Sequence, residues 1–186
     1  MKQKDYKCGI ILSLLQGESH LRSLALAVGT NPMTVSRHAR LLVEGNVLDF
    51  RQEGRNKVFF VKQTEEGRAY AHMAEHYRLL RLLSAQGHLR KVIRLIQQDR
   101  RITLATLFGS YARGEETKES DVDIFVEPAD REIKRAIERA DQRASVTLGT
   151  WGGKHPLIEE IRKDHVIIKG VERFHEESGL LWQAEK

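Results

Sequence analysis

The sequence predicts an α+β protein in two parts, a basic helix-rich part followed by an acidic strand-containing part, with a long helix between them. Three observations lead there. Its 186 residues exceed what one small core needs and suffice for two compact domains joined by a helix. Residues 1–101 hold 18 Lys and Arg against 9 Asp and Glu, a net +9, whereas residues 102–186 hold 13 against 17, a net −4. Helical spacing of apolar residues dominates up to residue 98, broken by one pair of strand-like stretches, and buried-strand runs begin only after it. The charge asymmetry suggests that the first part meets a polyanion, while the second keeps its acids for another use such as a metal.

Composition sets outer bounds. Apolar content of 40% with 31% charged residues describes a globular chain. No run approaches the roughly 18 consecutive apolar residues of a membrane span, so no membrane partner is expected. Lys2, Lys4, Asp5 and Lys7 are followed by only a short apolar stretch from Ile10 to Leu15, which does not read as a signal peptide. Cys8, the single cysteine, cannot form an internal disulfide and reads as a small buried residue. A cytoplasmic protein is expected.

Along the first part, Tyr6 to Leu15 has helical spacing, and Leu21 to Val28 forms a second helix after the polar break Gln16-Gly17-Glu18-Ser19. A third helix is signalled at both ends. Asn31 can cap it, Pro32 suits the first helical position, and Gly45 is expected to supply a positive-φ exit. Val35, Ala39 and Leu42 repeat on one face, leaving Met33, Thr34, Ser36, Arg37 and Arg40 outward. Val47–Gln52 and Lys57–Lys62 then read as strands about the turn Glu53-Gly54-Arg55-Asn56. Three short helices and a basic hairpin make a winged helix.

The run from Asn31 to Ala39, with Leu42 and Gly45-Asn46-Val47-Leu48, resembles the recognition helix and wing entry of prokaryotic winged-helix transcription regulators over about residues 6–65. The resemblance implies double-stranded DNA as partner, with Met33, Thr34, Ser36 and Arg37 at base edges. His38, Arg40, Arg51, Arg55 and Lys57 would hold phosphates and make binding salt-dependent. A protein-binding module is the alternative use of the same fold.

Glu66 to about Ala85 is helical by pattern, with Tyr70, Met73, Ala74, Tyr77, Leu80 and Leu83 at spacings of three and four. This stripe could carry dimerisation, and a homodimer is expected. The helix also contains His72-Met73-Ala74-Glu75-His76, which matches H-x-x-E-H. Zinc chemistry needs a third protein ligand and an open position, which a linker helix does not offer, so the match is set aside. The expected domains are therefore residues 1–65, a connecting helix 66–87, and residues 88–186.

The longest motif lies in the last of these. An amphipathic helix over His88–Gln98 precedes the apolar run Ile102–Phe108, then Gly109-Ser110-Tyr111-Ala112-Arg113-Gly114, an acidic loop, and Ser120-Asp121-Val122-Asp123-Ile124-Phe125-Val126. Glycine at 109 lets backbone approach a phosphate, and Ser110 can donate a hydroxyl at the start of a helix, where free amides favour an anion. Asp121 and Asp123, two apart on a strand, project from one face. Such a pair suits Mg²⁺ (or Mn²⁺), which takes one or two carboxylates with phosphate oxygens and water. These two pieces resemble the signature of the minimal nucleotidyltransferases of the polymerase β superfamily. The resemblance implies an α/β nucleotidyltransferase fold with a small mixed sheet, and a metal-bound NTP, with ATP first in expectation. It places Asp121 and Asp123 as catalytic metal ligands, and Gly109, Ser110, Arg113 and Ser120 around the nucleotide. Two ions about 3.5 to 4 Å apart would activate the attacking oxygen and steady the departing pyrophosphate.

One position departs from that pattern. Active members carry a third carboxylate on a neighbouring strand, expected at Ala144–Thr150, and Thr147 stands in its place. Threonine cannot take a hydroxyl proton as a carboxylate does. Glu127 continues the odd-numbered face of the Asp121 strand and is a candidate substitute, but its place is expected to be too near the strand end. Two functions stay open. One is an enzyme that moves a nucleoside monophosphate to an acceptor hydroxyl, which by the resemblance could be a tyrosine of a protein partner. The other is a transcriptional regulator whose degenerate domain binds nucleotide without chemistry. Gly149-Thr150-Trp151-Gly152-Gly153-Lys154 lacks the Lys-Ser/Thr ending of a phosphate loop and reads as a connection to a helix over Leu157–Asp164. Val166–Ile168 reads as a short strand, and Phe174, Leu180, Leu181 and Trp182 as a packing tail.

Overall fold

In the computed structural model, which describes residues 4–153 and 155–178, the chain divides into two compact units at Tyr77/Arg78. The boundary falls inside one continuous helix. Leu180, Leu181 and Trp182 lie outside the described residues.

The first unit contains α1 (Tyr6–Leu14), β1 (Ser19–His20), α2 (Leu21–Val28), α3 (Pro32–Glu44), β2 (Leu48–Glu53), β3 (Asn56–Val61) and the first half of α4 (Glu65–Ala85). The starts of α1 and α3 each have a chemical cause. The Asp5 carboxylate accepts from the Cys8 amide at 3.0 Å, and Asn31 Oδ1 accepts from the Thr34 amide at 2.8 Å with Pro32 at the first helical position. Gly29, at φ 65°, closes α2 in the left-handed conformation. The exit of α3 differs from expectation: Gly45 sits at φ −83°, and the positive φ of 60° belongs to Asn46. Asparagine tolerates that conformation when its polar groups are engaged. Here the Asn46 side chain donates to Glu66 at 3.0 Å and accepts from Lys62 Nζ at 2.5 Å, and its carbonyl accepts from the Thr64 hydroxyl at 2.7 Å.

The three strands order β1-β3-β2, all antiparallel, with Glu53 opposite Asn56 across a Gly54-Arg55 turn. Helices α1 to α3 followed by this hairpin form a winged helix-turn-helix. The strand Ser19–His20 lies partly within the predicted polar break; two residues hold no period, and pairing with Val58 and Phe59 fixes it. Ile10, Ile11, Leu24, Val35, Ala39, Leu42 and Leu48 are buried together with Ala71 and Ala74 of α4. Complete burial of each large aliphatic side chain contributes roughly 1.5–3 kcal/mol.

The second unit runs from the rest of α4 through a 3-10 turn (Gly87–Leu89), α5 (Arg90–Gln98), β4 (Leu104–Leu107), α6 (Gly109–Arg113), β5 (Val122–Glu127), α7 (Arg131–Ala140), β6 (Ala144–Leu148), α8 (Pro156–Lys163), β7 (Val166–Lys169) and α9 (Val171–Ser178). Its sheet orders β6-β5-β4-β7, with β5 and β6 parallel and β4 antiparallel to both of its neighbours. The sheet is therefore mixed.

Strand alternation sorts its two faces. Val122, Ile124 and Val126 of β5 join Ala105, Leu107, Val146, Val166 and Ile168 under α5, α7 and the end of α4. Phe125 faces the other way, into a second core with Leu104, Trp151, Ile158, Ile161, Ile167 and Phe174 under α8 and α9. Trp151 stacks on Phe174 with ring centroids 4.7 Å apart. Asp123 and Glu127 share the Phe125 side of β5. The segment expected to be a packing tail thus contributes a helix, α9, whose Phe174 is completely buried.

Candidate functional site

The Asp123 carboxylate lies against the Gly109 turn. Gly109 has φ 68°, and a Cβ placed on it would stand 2.5 Å from Asp123 Oδ2. Only glycine leaves room for the acid there and adopts that backbone without strain. The Phe108 amide also donates to the Asp123 carbonyl at 3.0 Å, tying the turn to β5. Asp121, exposed and immediately before β5, lies close enough to act on Asp123. Burial, then the negative charges of Asp121 and Glu160, push the Asp123 carboxyl above its ordinary value, and Arg113 opposes them. A carboxylate crowded by other acids gains from a bound cation.

Glu160 of α8 was not singled out in the sequence. Nothing in the spacing of Leu157–Asp164 ties it to an acid 37 positions earlier, a separation evident from the numbering. Only the packing of Ile158 and Ile161 into the Phe125 core turns α8 toward this side of the sheet.

The predicted nucleotide contacts divide. Ser110 is half-buried in the first turn of α6. Arg113 is tied to Glu115 at 2.8 Å. Ser120 Oγ accepts from the Thr117 amide at 2.8 Å and so closes the acidic loop that delivers Asp121. Register places Asp123 opposite Ser145 and Phe125 opposite Thr147, so Thr147 is on the acid-bearing face of the sheet and offers a hydroxyl there.

Glu127 does not replace the absent acid. It is 5% exposed and fully engaged, accepting from the Trp151 amide at 2.9 Å, from Thr103 Oγ1 at 3.1 Å, and from the Arg173 guanidinium through Nε and, at 3.0 Å, Nη2. The Arg173 hydrogen bond foremost holds its carboxyl below the ordinary glutamate value. Glu127 is a clasp between β5, the Trp151 loop and α9.

Among the described residues no group of three or more His, Cys, Asp or Glu side chains could hold a metal ion. The donor set is two carboxylates beside a turn that only glycine can make, and this fits Mg²⁺, which draws its remaining ligands from phosphate and water.

Residues 90–168 match the family model described as "Polymerase beta, Nucleotidyltransferase". This part of the chain is a polymerase β nucleotidyltransferase domain. Over 39 residues the chain is 51% identical to "Putative protein adenylyltransferase MJ1379" of Methanocaldococcus jannaschii; the match takes in 21% of this chain and spans 39% of that relative's length. For the winged helix, a similar solved structure is the homodimeric winged helix-turn-helix DNA-binding domain Mb0332 of Mycobacterium bovis, described as "a possible ArsR-family transcriptional regulator". It is 23% identical, with a TM-score of 0.34, over 45% of this chain and 73% of that one. The assignment of the first unit rests on its own element order and strand pairing.

On that unit, Met33, Ser36, Arg37 and Arg40 line a groove of about 460 Å³ with Leu21 and Pro32, and Thr34 is half-buried at the base of the helix. Met33 is 83% exposed. The basic residues differ in how free they are. Arg37 and Arg55 have no acidic partner among the described residues. Arg51 is paired with Glu18 and with Glu53, and Arg40 with Glu44 at 3.6 Å. Lys57 Nζ sits 3.8 Å over the Phe50 ring. His38 is half-buried against Tyr6, with ring centroids 5.4 Å apart, and burial foremost lowers its pKa, which keeps the ring neutral.

In α4, Ala71, Ala74, Leu79 and Leu82 are buried, whereas Met73 is 45% and Leu80 61% exposed. No helix among the described residues is long and apolar enough to cross a membrane.

Proposed function

We propose that the nucleotidyltransferase domain holds a metal-bound nucleoside triphosphate, with ATP the first candidate, and transfers its nucleoside monophosphate to an acceptor hydroxyl. The winged helix is proposed to bind double-stranded DNA. The observation that carries the first half is the Asp123 carboxylate held against the Gly109 turn with Asp121 beside it.

In this reading the Gly109 turn admits a phosphate close to backbone, and Ser110 donates to it. Asp121 and Asp123 would hold Mg²⁺, which when bound would offset the negative charge of the phosphates and favour an ionised acceptor oxygen. The acceptor oxygen forms a bond to the α-phosphorus, the bond from that phosphorus to the bridging oxygen breaks, and pyrophosphate leaves. The acceptor's proton passes to solvent. The adenylyltransferase relative supports a nucleotide and a transfer reaction without fixing the acceptor.

Thr147 supports the second reading, a nucleotide-responsive regulator without transfer, because a hydroxyl faces the acids where a carboxylate would serve as base. Incubation with α-labelled ATP and Mg²⁺ or Mn²⁺ separates the two. Label that moves to protein or added acceptor, and is lost in the Asp121→Ala/Asp123→Ala double variant, supports transfer. Binding without transfer leaves the regulator, and the absence of both binding and transfer removes both readings.

For DNA, Arg37 beside the exposed helix face is proposed to read base edges, with Met33, Thr34 and Ser36, and Arg55 at the wing tip to hold phosphate. Arg40, Arg51 and Lys57 would have to exchange present partners for phosphates. His38, neutral and against Tyr6, is best suited to hold α3 in place. The exposed Met73 and Leu80 on α4 support a homodimer through that helix.

A further inference from the structure

β6 is an end strand of its sheet. Backbone groups alternate sides along a strand, and the Arg143 carbonyl accepts from the Val122 amide of β5 at 2.8 Å, so residues 143, 145 and 147 turn toward β5. Residues 144, 146 and 148 turn outward. On this outer edge the Val146 carbonyl accepts from Lys134 Nζ at 2.8 Å. Among the described residues the outward Val146 and Leu148 amides donate no hydrogen bond to a neighbouring strand.

Beside the edge runs a groove of about 530 Å³, walled by Val146, Thr147 and Leu148 on the strand and by Arg131, Lys134, Arg135 and Glu138 of α7. Glu138 is balanced by Lys134 at 3.5 Å. Arg131 and Arg135 are exposed and have no acidic partner among the described residues. An unpaired strand edge and two unbalanced guanidiniums thus meet in one concavity.

We propose that this edge docks an extended segment of a partner polypeptide rich in acidic side chains, which adds to the sheet as a fifth strand. Main-chain hydrogen bonds to a free edge supply affinity, and side-chain pockets along it supply selectivity. Lys134 sets the selection. A lysine over an edge carbonyl blocks uncharged strands from pairing, whereas an acid on the incoming segment draws the ammonium away and frees that carbonyl. A phosphate chain fits less well, since it cannot donate to edge carbonyls and meets Glu138 and the apolar Val146 and Leu148. Because Thr147 is on the Asp123 side of the sheet, alternate residues of an added strand would face that side too. The inference rests on the edge and the groove, and it holds whether or not transfer occurs.

The test uses the full chain and three labelled probes followed by fluorescence anisotropy: a peptide alternating Glu with Thr and Val, its counterpart with Lys for Glu, and a single-stranded oligonucleotide of matching charge. The acidic peptide is expected to bind and the Lys peptide not to. The Arg131→Glu/Arg135→Glu variant, altered only on an exposed helix face, should lose at least tenfold in affinity while α-labelled ATP binding stays unchanged. Amide hydrogen exchange at Val146 and Leu148 should slow in the presence of the acidic peptide. The proposal is overturned if the acidic peptide fails to bind, if charge reversal leaves binding intact, if protection falls on other strands, or if the oligonucleotide is the probe whose binding that variant loses.

Discussion

Replacing Gly109 with alanine tests how the candidate site is built. Two costs follow from the structure. Holding a non-glycine residue at φ 68° costs about 1–2 kcal/mol. The new methyl would meet Asp123 Oδ2 at 2.5 Å, and the short aspartate side chain can yield only by leaving its rotamer, about 0.5–1.5 kcal/mol more. Gly109→Ala should therefore lose roughly 2–3 kcal/mol in urea unfolding of the second unit. The two costs separate in a double-mutant cycle. In an Asp123→Ala background the methyl meets only the remaining Cβ of position 123, at an ordinary van der Waals distance of 3.6 Å, so Gly109→Ala should cost only the backbone share, leaving a coupling of about 1 kcal/mol between the positions. Mn²⁺ binding, followed by electron paramagnetic resonance, should weaken in Gly109→Ala because Asp123 has been displaced. Additive stabilities with Mn²⁺ binding unchanged would refute the contact between the turn and the acid.

Glu127→Gln should cost about 3 kcal/mol, the lower end for breaking a buried pair, since Arg173 retains access to water; because the folded-state pKa of Glu127 is depressed, its contribution is present above the ordinary glutamate value and fades as pH falls through the lower folded value, so urea midpoints of wild type and variant should converge in acid. Asp123 runs the other way. Its raised pKa means that its ionisation costs stability, so Asp123→Asn should be the more stable protein at pH 7, with the difference vanishing below the ordinary aspartate value, and Mn²⁺ should stabilise wild type alone. Glu160→Gln removes one of the charges crowding Asp123, so the pH at which wild-type Mn²⁺ binding sets in should move down in the variant; an unmoved profile would remove Glu160 from the site. On duplex DNA, Arg37→Ala should reduce affinity about 5- to 100-fold at a preferred site and little elsewhere, while Arg55→Ala should weaken all sequences alike and flatten the salt dependence, as gel shifts at several salt concentrations would show.

What the sequence revealed was local. The Asn31-Pro32 start of α3 and the Val35-Ala39-Leu42 face need only residues within a few turns of each other, and the structure has both. The Gly109-Ser110 turn and the Asp121-x-Asp123 pair were legible because an apolar strand precedes the first and an apolar strand carries the second. What escaped depends on contacts between distant residues. The role of Glu127 is set by Arg173 and Trp151, and that of Glu160 by how α8 packs; neither leaves a periodic trace. The positive φ moved from Gly45 to Asn46 because Lys62, Thr64 and Glu66, later in the chain, satisfy the asparagine. Helix α7 passed unnoticed although Ile133 and Ile137 are both buried, since eight other positions of Arg131–Ala140 are charged or alanine.

The central claim is that residues 121 and 123 seat a cation on a triphosphate lodged at the 109–110 turn. Crystals of the full chain soaked with Mn²⁺ and a non-hydrolysable ATP analogue, with diffraction data collected at the manganese edge, address it directly. The account predicts an anomalous peak within coordination distance of both carboxylates, with phosphate density against Gly109 and Ser110. A manganese peak elsewhere, or phosphates bound away from that turn, would contradict it.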